Sequence, residues 1–253
     1  SESVTTLAND NQTRLAAYFH QLYRGGYMDE AFFNELVALE DDPQYVGSLN
    51  TLGMEIVVDT QITTYLSSLG FAERLINCER QSPEDMAKTD GSGCSWIRVG
   101  GRHFTQKAKS DNLGFAQDSY EIAGGMSMPF ADVWTFGAAA SFEQHNITGE
   151  DGKGTGEGYQ FQLGGALSRD VGGMEYGIYG AFSTSEFDID RQSASGFNLE
   201  GTHRPMTAGL GANVAWSLRS GRMNLRPQIE VGATYLHSNA FQETPDSGYA
   251  LAV

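Results

Sequence analysis

No stretch of about 18 consecutive apolar residues occurs in this chain, so no helix in it can cross a bilayer facing lipid. Strands remain open as a route, because a membrane strand needs only every second residue apolar. Positive charge is scarce: 16 Lys and Arg stand against 32 Asp and Glu, a net charge of −16. That balance excludes a basic face for phosphates, and with it a nucleic-acid partner. His20, His103, His145, His203 and His237 are scattered without ligand spacing, so no metal site is expected. A Gly-x-Ser-x-Gly elbow is missing. Gly152-Lys153-Gly154-Thr155-Gly156 is like a phosphate loop in outline only, since acids surround it, and reads as a loop tip. Asn146-Ile147-Thr148 has only the form of a glycosylation sequon. Nothing here calls for an enzyme, a cofactor or a metal. No basic-then-apolar leader follows Ser1, so a signal peptide is expected upstream. Cysteine is limited to Cys78 and Cys94, with a polar tract between them. They are either two buried thiols or a disulfide, and an exported chain favours the disulfide.

What the chain does have is 31 Gly, 14 Phe and 11 Tyr against 6 Pro, a strand-and-turn composition. Residues 1–77 differ from the rest. Leu15, Tyr18, Phe19, Leu22 and Tyr23 follow helical spacing after a cap at Asn9 or Asp10, and Gly25-Gly26 stops that helix. Asp29 caps a second run with Phe32, Phe33, Leu36 and Val37 on one face, before the breaker Asp41-Asp42-Pro43. A third helix is expected over residues 52–76. Val58, Ile62, Tyr65, Leu66, Leu69, Ala72 and Ile76 form one stripe of it. Glu55, Asp59, Gln61, Thr63, Thr64, Ser67, Ser68 and Arg74 occupy the other side. At 1.5 Å per residue it would span about 37 Å, enough for a hydrocarbon core of about 30 Å. It is too polar to face lipid, so it can pass through a membrane only inside something.

A polar connecting tract, residues 78–93, leads to the stranded part, residues 94–253. There, runs of about ten alternating residues are joined by long and short connections in turn. The short joints are Pro129-Phe130-Ala131-Asp132, Arg169-Asp170-Val171-Gly172-Gly173 and Arg219-Ser220-Gly221-Arg222. The long ones cover residues 109–118, 145–157, 186–205 and 237–248, and carry acidic stretches such as Glu186-Phe187-Asp188-Ile189-Asp190. Tight turns on one side and loose loops on the other are what an up-and-down membrane barrel needs. Trp134, Phe142, Tyr159, Trp216 and Tyr235 lie near strand ends and are expected to form aromatic girdles at the two water interfaces. Parity puts Arg98, Arg102, Glu121, Glu143, Gln160, Gln162, Glu175, Asn213, Arg226, Gln228 and Glu230 on the inner wall, with Trp96 packed on the helix. Turning Arg98 and Arg102 toward lipid would cost about 2–4 kcal/mol each near mid-membrane. Glu55, Asp59, Glu73 and Arg74 are the helix's candidate partners for that wall. The fold class is therefore all-β with an α-helical N-terminal segment, an antiparallel transmembrane β-barrel with a helix through the lumen. A soluble extracellular β-sandwich binding module is the alternative fold.

Particular segments also resemble a known family. Asn11-Gln12-Thr13-Arg14-Leu15-Ala16-Ala17 is similar to its first helix, and Cys94-Ser95-Trp96-Ile97-Arg98-Val99-Gly100-Gly101 to its first strand. Tyr120-Glu121-Ile122-Ala123-Gly124-Gly125-Met126 is similar to its second. Phe241-Gln242-Glu243 and Gly248-Tyr249-Ala250-Leu251-Ala252-Val253 resemble its late loop and next strand start. The chain thus resembles the C-terminal translocator domain of bacterial autotransporters. The resemblance implies a barrel of about twelve strands around a lumen helix, in the bacterial outer membrane. Seven strands and the start of an eighth at Tyr249 are legible here, so the barrel is expected to be incomplete. It implies an outer-membrane translocator that anchors and exports an N-terminally attached passenger. The implied partners are outer-membrane lipid, that passenger, the barrel-assembly machinery and periplasmic chaperones. Some autotransporters cleave the passenger at a lumenal asparagine; Asn77 lies at the helix end here, without that branch's paired asparagine. A porin or adhesin barrel without a passenger is the other reading; the long two-faced helix before the first strand favours the translocator.

Overall fold

The computed structural model describes residues 10–26, 55–75, 86–89, 93–109, 114–130, 134–149, 154–192, 198–216, 218–220, 223–225, 227–241 and 243–245. The first helix, α1 (Asp10–Arg24), ends as its sequence requires. Gly26 takes a left-handed φ of 71°, and the Gly25 N–H donates to the Gln21 carbonyl at 2.9 Å. The Phe32–Val37 run, the Asp41-Asp42-Pro43 breaker and Asn77 lie outside the described residues. The long helix, α2 (Glu55–Leu75), falls within the expected span.

Ten strands form one antiparallel sheet. In chain order these are β1 (Met86–Thr89), β2 (Gly93–Gln106), β3 (Phe115–Phe130), β4 (Trp134–Gly149), β5 (Gly154–Val171), β6 (Met174–Gln192), β7 (Asn198–His203) and β8 (Pro205–Trp216). A separate hairpin pairs β9 (Leu218–Ser220) with β10 (Met223–Leu225), and β11 (Gln228–Ser238) and β12 (Glu243–Pro245) follow in the main sheet. Neighbours pair up and down from β1 through β6. The edge of β6 is then shared: β8 takes Met174–Thr184 and β7 takes Phe187–Gln192. β11 pairs with β8, and β12 with β7. Among the described residues the sheet does not close on itself. The tight joint at Gly172-Gly173 has φ of 63° and 87°, the two left-handed residues of a two-residue hairpin whose twist matches the strands.

Two sequence expectations change here, and a third falls outside the described residues. The tract at 78–93 is not wholly a connection, because Met86–Thr89 pairs antiparallel with β2. The long joints at 145–157 and 186–205 are mostly strand: β4 runs to Gly149, β5 starts at Gly154, and β6 reaches Gln192 before β7 takes up. Phe187 and Ile189 are buried on the inner side, while Asp188 and Asp190 face outward. Finally, the strand after β11 that the described residues contain is β12, whereas the start expected at Tyr249 lies outside them.

The upper strands pack closely enough to need glycine. A Cβ on Gly158 would stand 2.3 Å from the Glu186 carbonyl oxygen and 2.6 Å from the Phe187 ring, contacts that only a backbone shift relieves. On the outward face, a Cβ on Gly165 would meet nothing nearer than 3.5 Å. Gly158→Ala should therefore lower unfolding free energy by about 1–3 kcal/mol, the usual cost of overpacking. Gly165→Ala should stay within about 0.5 kcal/mol of the parent. Urea titration followed by the mobility of folded and unfolded bands measures both.

Candidate functional site

The site is the contact between α2 and the inner wall of the sheet. Along α2, Thr60, Thr63, Thr64, Ser67 and Ser68 recur at three- and four-residue intervals and share one face. All five are buried. Thr60 Oγ1 lies 2.7 Å from His203 Nδ1 on β7, and Thr63 donates to Gln117 Oε1 on β3 at 2.9 Å. Thr64 donates to Ser185 on β6 at 3.2 Å. Ser67 donates to Glu143 on β4 and accepts from Gln162 Nε2 on β5 at 3.1 Å. Ser68 Oγ sits among Gln160 Nε2 at 3.0 Å, Ser183 Oγ at 2.9 Å and Thr207 Oγ1 at 2.8 Å. Gln61 reaches Ser238 on β11 at 3.1 Å. At the lower end the Arg74 guanidinium forms a bidentate pair with Glu121, at 2.5 and 2.6 Å. Strands β3 to β8 and β11 thus each give the helix a polar partner, which the sheet achieves by curling about it. Each bond is worth about 0.5–1.5 kcal/mol net, and leaving a buried member unpaired costs about 1–3 kcal/mol.

Close approach is possible because the wall is small where the helix touches it. A Cβ on Gly164 would lie 2.5 Å from Leu75 Cδ1, and one on Gly137 3.3 Å from the Leu75 carbonyl oxygen. Two apolar clusters bracket the polar zone. Toward the short turns, Phe71, Ala72 and Leu75 pack with Cys94, Trp96, Ala123, Ala139, Ala166 and Tyr179. Toward the long-loop end, Ile56 and Val57 pack with Phe115, Ile147, Phe187, Ile189 and Phe241.

The sequence-derived wall residues fall out unevenly. Arg102 donates to Glu143 Oε1 at 3.1 Å, so one carboxylate serves both the helix and the wall. Gln160 and Gln162 are fully buried against α2. Glu230 accepts from the Tyr179 hydroxyl at 2.7 Å and from Gln228 at 3.4 Å, away from α2. Glu175 registers with Asp170 near the Gly172-Gly173 turn. Arg98 is exposed and forms no ion pair with another described residue. Asn213 is buried with its amide unbonded among the described residues. Arg226 lies outside them. On the helix, Asp59 is buried with Glu55 one turn above it, while Glu73 is exposed. Cys94 is disulfide-bonded; the only other cysteine, Cys78, lies outside the described residues. Sequence reasoning missed the hydroxyl ladder as the main contact, although Thr63, Thr64, Ser67 and Ser68 were on the expected polar side. Their i, i+4 recurrence beside Thr60 was the available signal. The apolar stripe, for which the sequence named no partner, is exposed at Val58, Tyr65, Leu66 and Leu69, turned away from the sheet.

The outer face is the complement. Ile97, Val99, Ile122, Met126, Phe136, Phe142, Phe161, Leu163, Ile178, Phe182, Leu210 and Val231 all stand exposed on it. Trp134 meets Tyr176 edge-on at 6.0 Å at one border of this belt, with Trp216 beside Met174 in register. Phe142 stacks on Tyr159 at 6.2 Å toward the other border, and Tyr235 on His237 at 6.4 Å. Gln144 registers with Tyr159. From 134 to 144 is about 33 Å of strand, or about 25 Å along the normal at a tilt near 40°, the height of a membrane barrel's apolar band. Beyond that border Asp118, Asn146, Glu157 and Asp188 face outward.

An antiparallel up-and-down wall, apolar outside between aromatic borders and polar inside against a helix, defines a membrane β-barrel protein. Residues 95–253 match the autotransporter beta-domain, and the chain belongs to that family. Among solved structures, the translocator domain of autotransporter NalP from Neisseria meningitidis superposes with a TM-score of 0.58 at 13% identity, covering 77% of this chain and 67% of that one. At that identity the likeness speaks for the fold. No curated protein matches the sequence. Family membership makes the chain an outer-membrane translocator domain that exports a linked passenger, in a domain class that is not itself catalytic.

Short turns face the periplasm in outer-membrane barrels, and labelling tests that orientation here. An epitope inserted at residues 150–152 should be labelled on intact cells, and one at Gly172 only after the outer membrane is opened. Labelling at Gly172 on intact cells would invert the orientation.

Proposed function

We propose that α2 is the retained end of the export path, a plug and tether held in the lumen after the passenger has passed. The observation that carries this reading is the run of hydrogen bonds from the helix to strands β3 to β8 and β11. A helix lying outside a porin or adhesin barrel would have no use for such a ladder. The passenger attaches on the N-terminal side, since α2 enters between the long loops and leaves toward the short turns. Its exposed stripe at Val58, Tyr65, Leu66 and Leu69 is then the face that the remaining wall of a closed barrel covers. The 1–77, 78–93 and 94–253 division follows the same logic: helical linker and tether, a connection that carries β1, and barrel wall. Cys78 is the partner of Cys94, closing a loop of about 15 residues at the periplasmic rim and contributing about 3 kcal/mol. Periplasmic chaperones and the barrel-assembly machinery are the partners such a wall requires during insertion. The domain performs no chemistry of its own.

Removing an arginine tests the plug. In the full-length protein, Arg74→Ala leaves the mostly buried Glu121 without its bidentate partner, and Arg102→Ala strips Glu143 of its guanidinium partner. Each should loosen the helix at a cost of about 1–3 kcal/mol and raise conductance in planar bilayers. Leu163→Ala, on the outer face, should not. Arginine variants that conduct like the parent would mean that packing in the two apolar clusters alone holds the helix.

A further inference from the structure

The outer wall carries an apolar groove of about 560 Å³, lined by Phe136, Gly165, Ile178, Gly180, Leu210 and Val231. It exists because the outward row Ala138, Gly165 and Gly180 lacks side-chain bulk where neighbouring rows carry Phe136, Leu167, Ile178, Leu163 and Phe182. Gly165 and Gly180 are therefore the floor of a trough whose sides are large residues. Four residues further toward the short turn on the same outward face stands Arg169, about 13 Å away along β5. Its guanidinium lies over the Trp134 ring at 5.8 Å, and Trp134 is braced edge-on by Tyr176. Arg169 Nε is buried without a hydrogen-bond partner among the described residues. No described carboxylate faces it: Asp170 points to the other side of the strand and accepts from the Gly173 N–H at 3.3 Å. No other Lys or Arg among the described side chains faces outward at this end.

A cation at the membrane border, held by aromatic rings and one outward row beyond the Leu167 side of an apolar trough, is complementary to a molecule with an anionic head and a hydrocarbon chain that passes over Leu167 into the trough. We propose that this face binds one phospholipid of the periplasmic leaflet, with its phosphate on Arg169 and an acyl chain lying over Gly165 and Gly180. The guanidinium offers paired N–H donors to phosphate oxygens, and such charge-assisted pairs strengthen where water is scarce. The rings on either side keep it at the headgroup level rather than out in solvent. The chain-binding part needs the glycines, because any larger outward side chain at 165 or 180 fills the trough. The inference rests on the outer-membrane reading only for placing this face in lipid, and its test reads lipid binding rather than export or conductance.

Native mass spectrometry of the full-length protein in detergent, titrated with phosphatidylglycerol, gives the measurement. One lipid per chain should be retained by the parent and by Arg204→Gln, a control at the opposite border. Arg169→Gln and Gly165→Leu should each weaken retention about tenfold, the loss of one charge-assisted contact or of the chain's seat. Both should keep the migration of the folded protein. Diacylglycerol, which lacks the phosphate, should bind the parent as weakly as phosphatidylglycerol binds Arg169→Gln. Retention equal to the parent in Arg169→Gln would overturn the proposal, as would equal binding of diacylglycerol, which would mean annular lipid only. Lipid A competing as well as phosphatidylglycerol would overturn the assignment to the periplasmic leaflet. Should Gly165→Leu fail to fold, the Arg169→Gln and diacylglycerol arms decide alone.

Discussion

The hydroxyl ladder of α2 is the contact on which the rest of this structure depends. Five Thr and Ser side chains on one face present short donors and acceptors, and short groups let the helix backbone come close to the wall. The wall answers with glutamines and hydroxyls at matching heights, and with glycines at 164, where a methyl would collide with the Leu75 side chain, and at 137, where one would press on the Leu75 carbonyl oxygen. Long charged side chains could not do this, because each needs room and a counter-charge. Two such pairs stand at the interface, Arg74 with Glu121 and Arg102 with Glu143. Once the helix is seated, neither surface can be withdrawn cheaply, since buried amides such as Gln160 and Gln162 would lose their partners.

A strand that borders the ladder has lipid on its other side, so its period of two must satisfy two media at once. That makes the middle of each strand readable from sequence: Tyr159, Phe161 and Leu163 go out, and Gln160 and Gln162 go in. The same rule misleads above the upper border. There the outer medium becomes water and the inner one becomes the apolar cluster around Ile56 and Val57. The phase of the pattern inverts, with Phe187 and Ile189 inside and Asp188 and Asp190 outside. Read without that change of solvent, Glu186-Phe187-Asp188-Ile189-Asp190 looks like an acidic loop, though it is the upper part of β6 paired to β7. The helix was legible in extent and in its polar side. The hydroxyl ladder as its main contact was not, because Thr and Ser on a helix's polar side read as solvated positions until the facing wall is known.

The inversion also explains why the two ends of the lumen differ from its middle. Between the clusters, every group that bonds α2 is one that could equally bond water: hydroxyls, amides, a carboxylate and guanidinium groups. At the ends the groups are Phe71, Leu75 and Trp96 below, and Phe115, Phe187 and Phe241 above. On the proposed reading, a lumen of this composition would tolerate a hydrated, extended chain in its centre during export, since water would replace each lost partner. The ends behave otherwise. Their apolar surface is covered only when Ile56, Val57, Phe71 and Leu75 of the helix are in place, and covering it contributes about 25 cal/mol per Å². The polar middle therefore sets the register of the helix and the apolar ends set its stability. A passenger could leave such a lumen easily, and the helix that follows it could not.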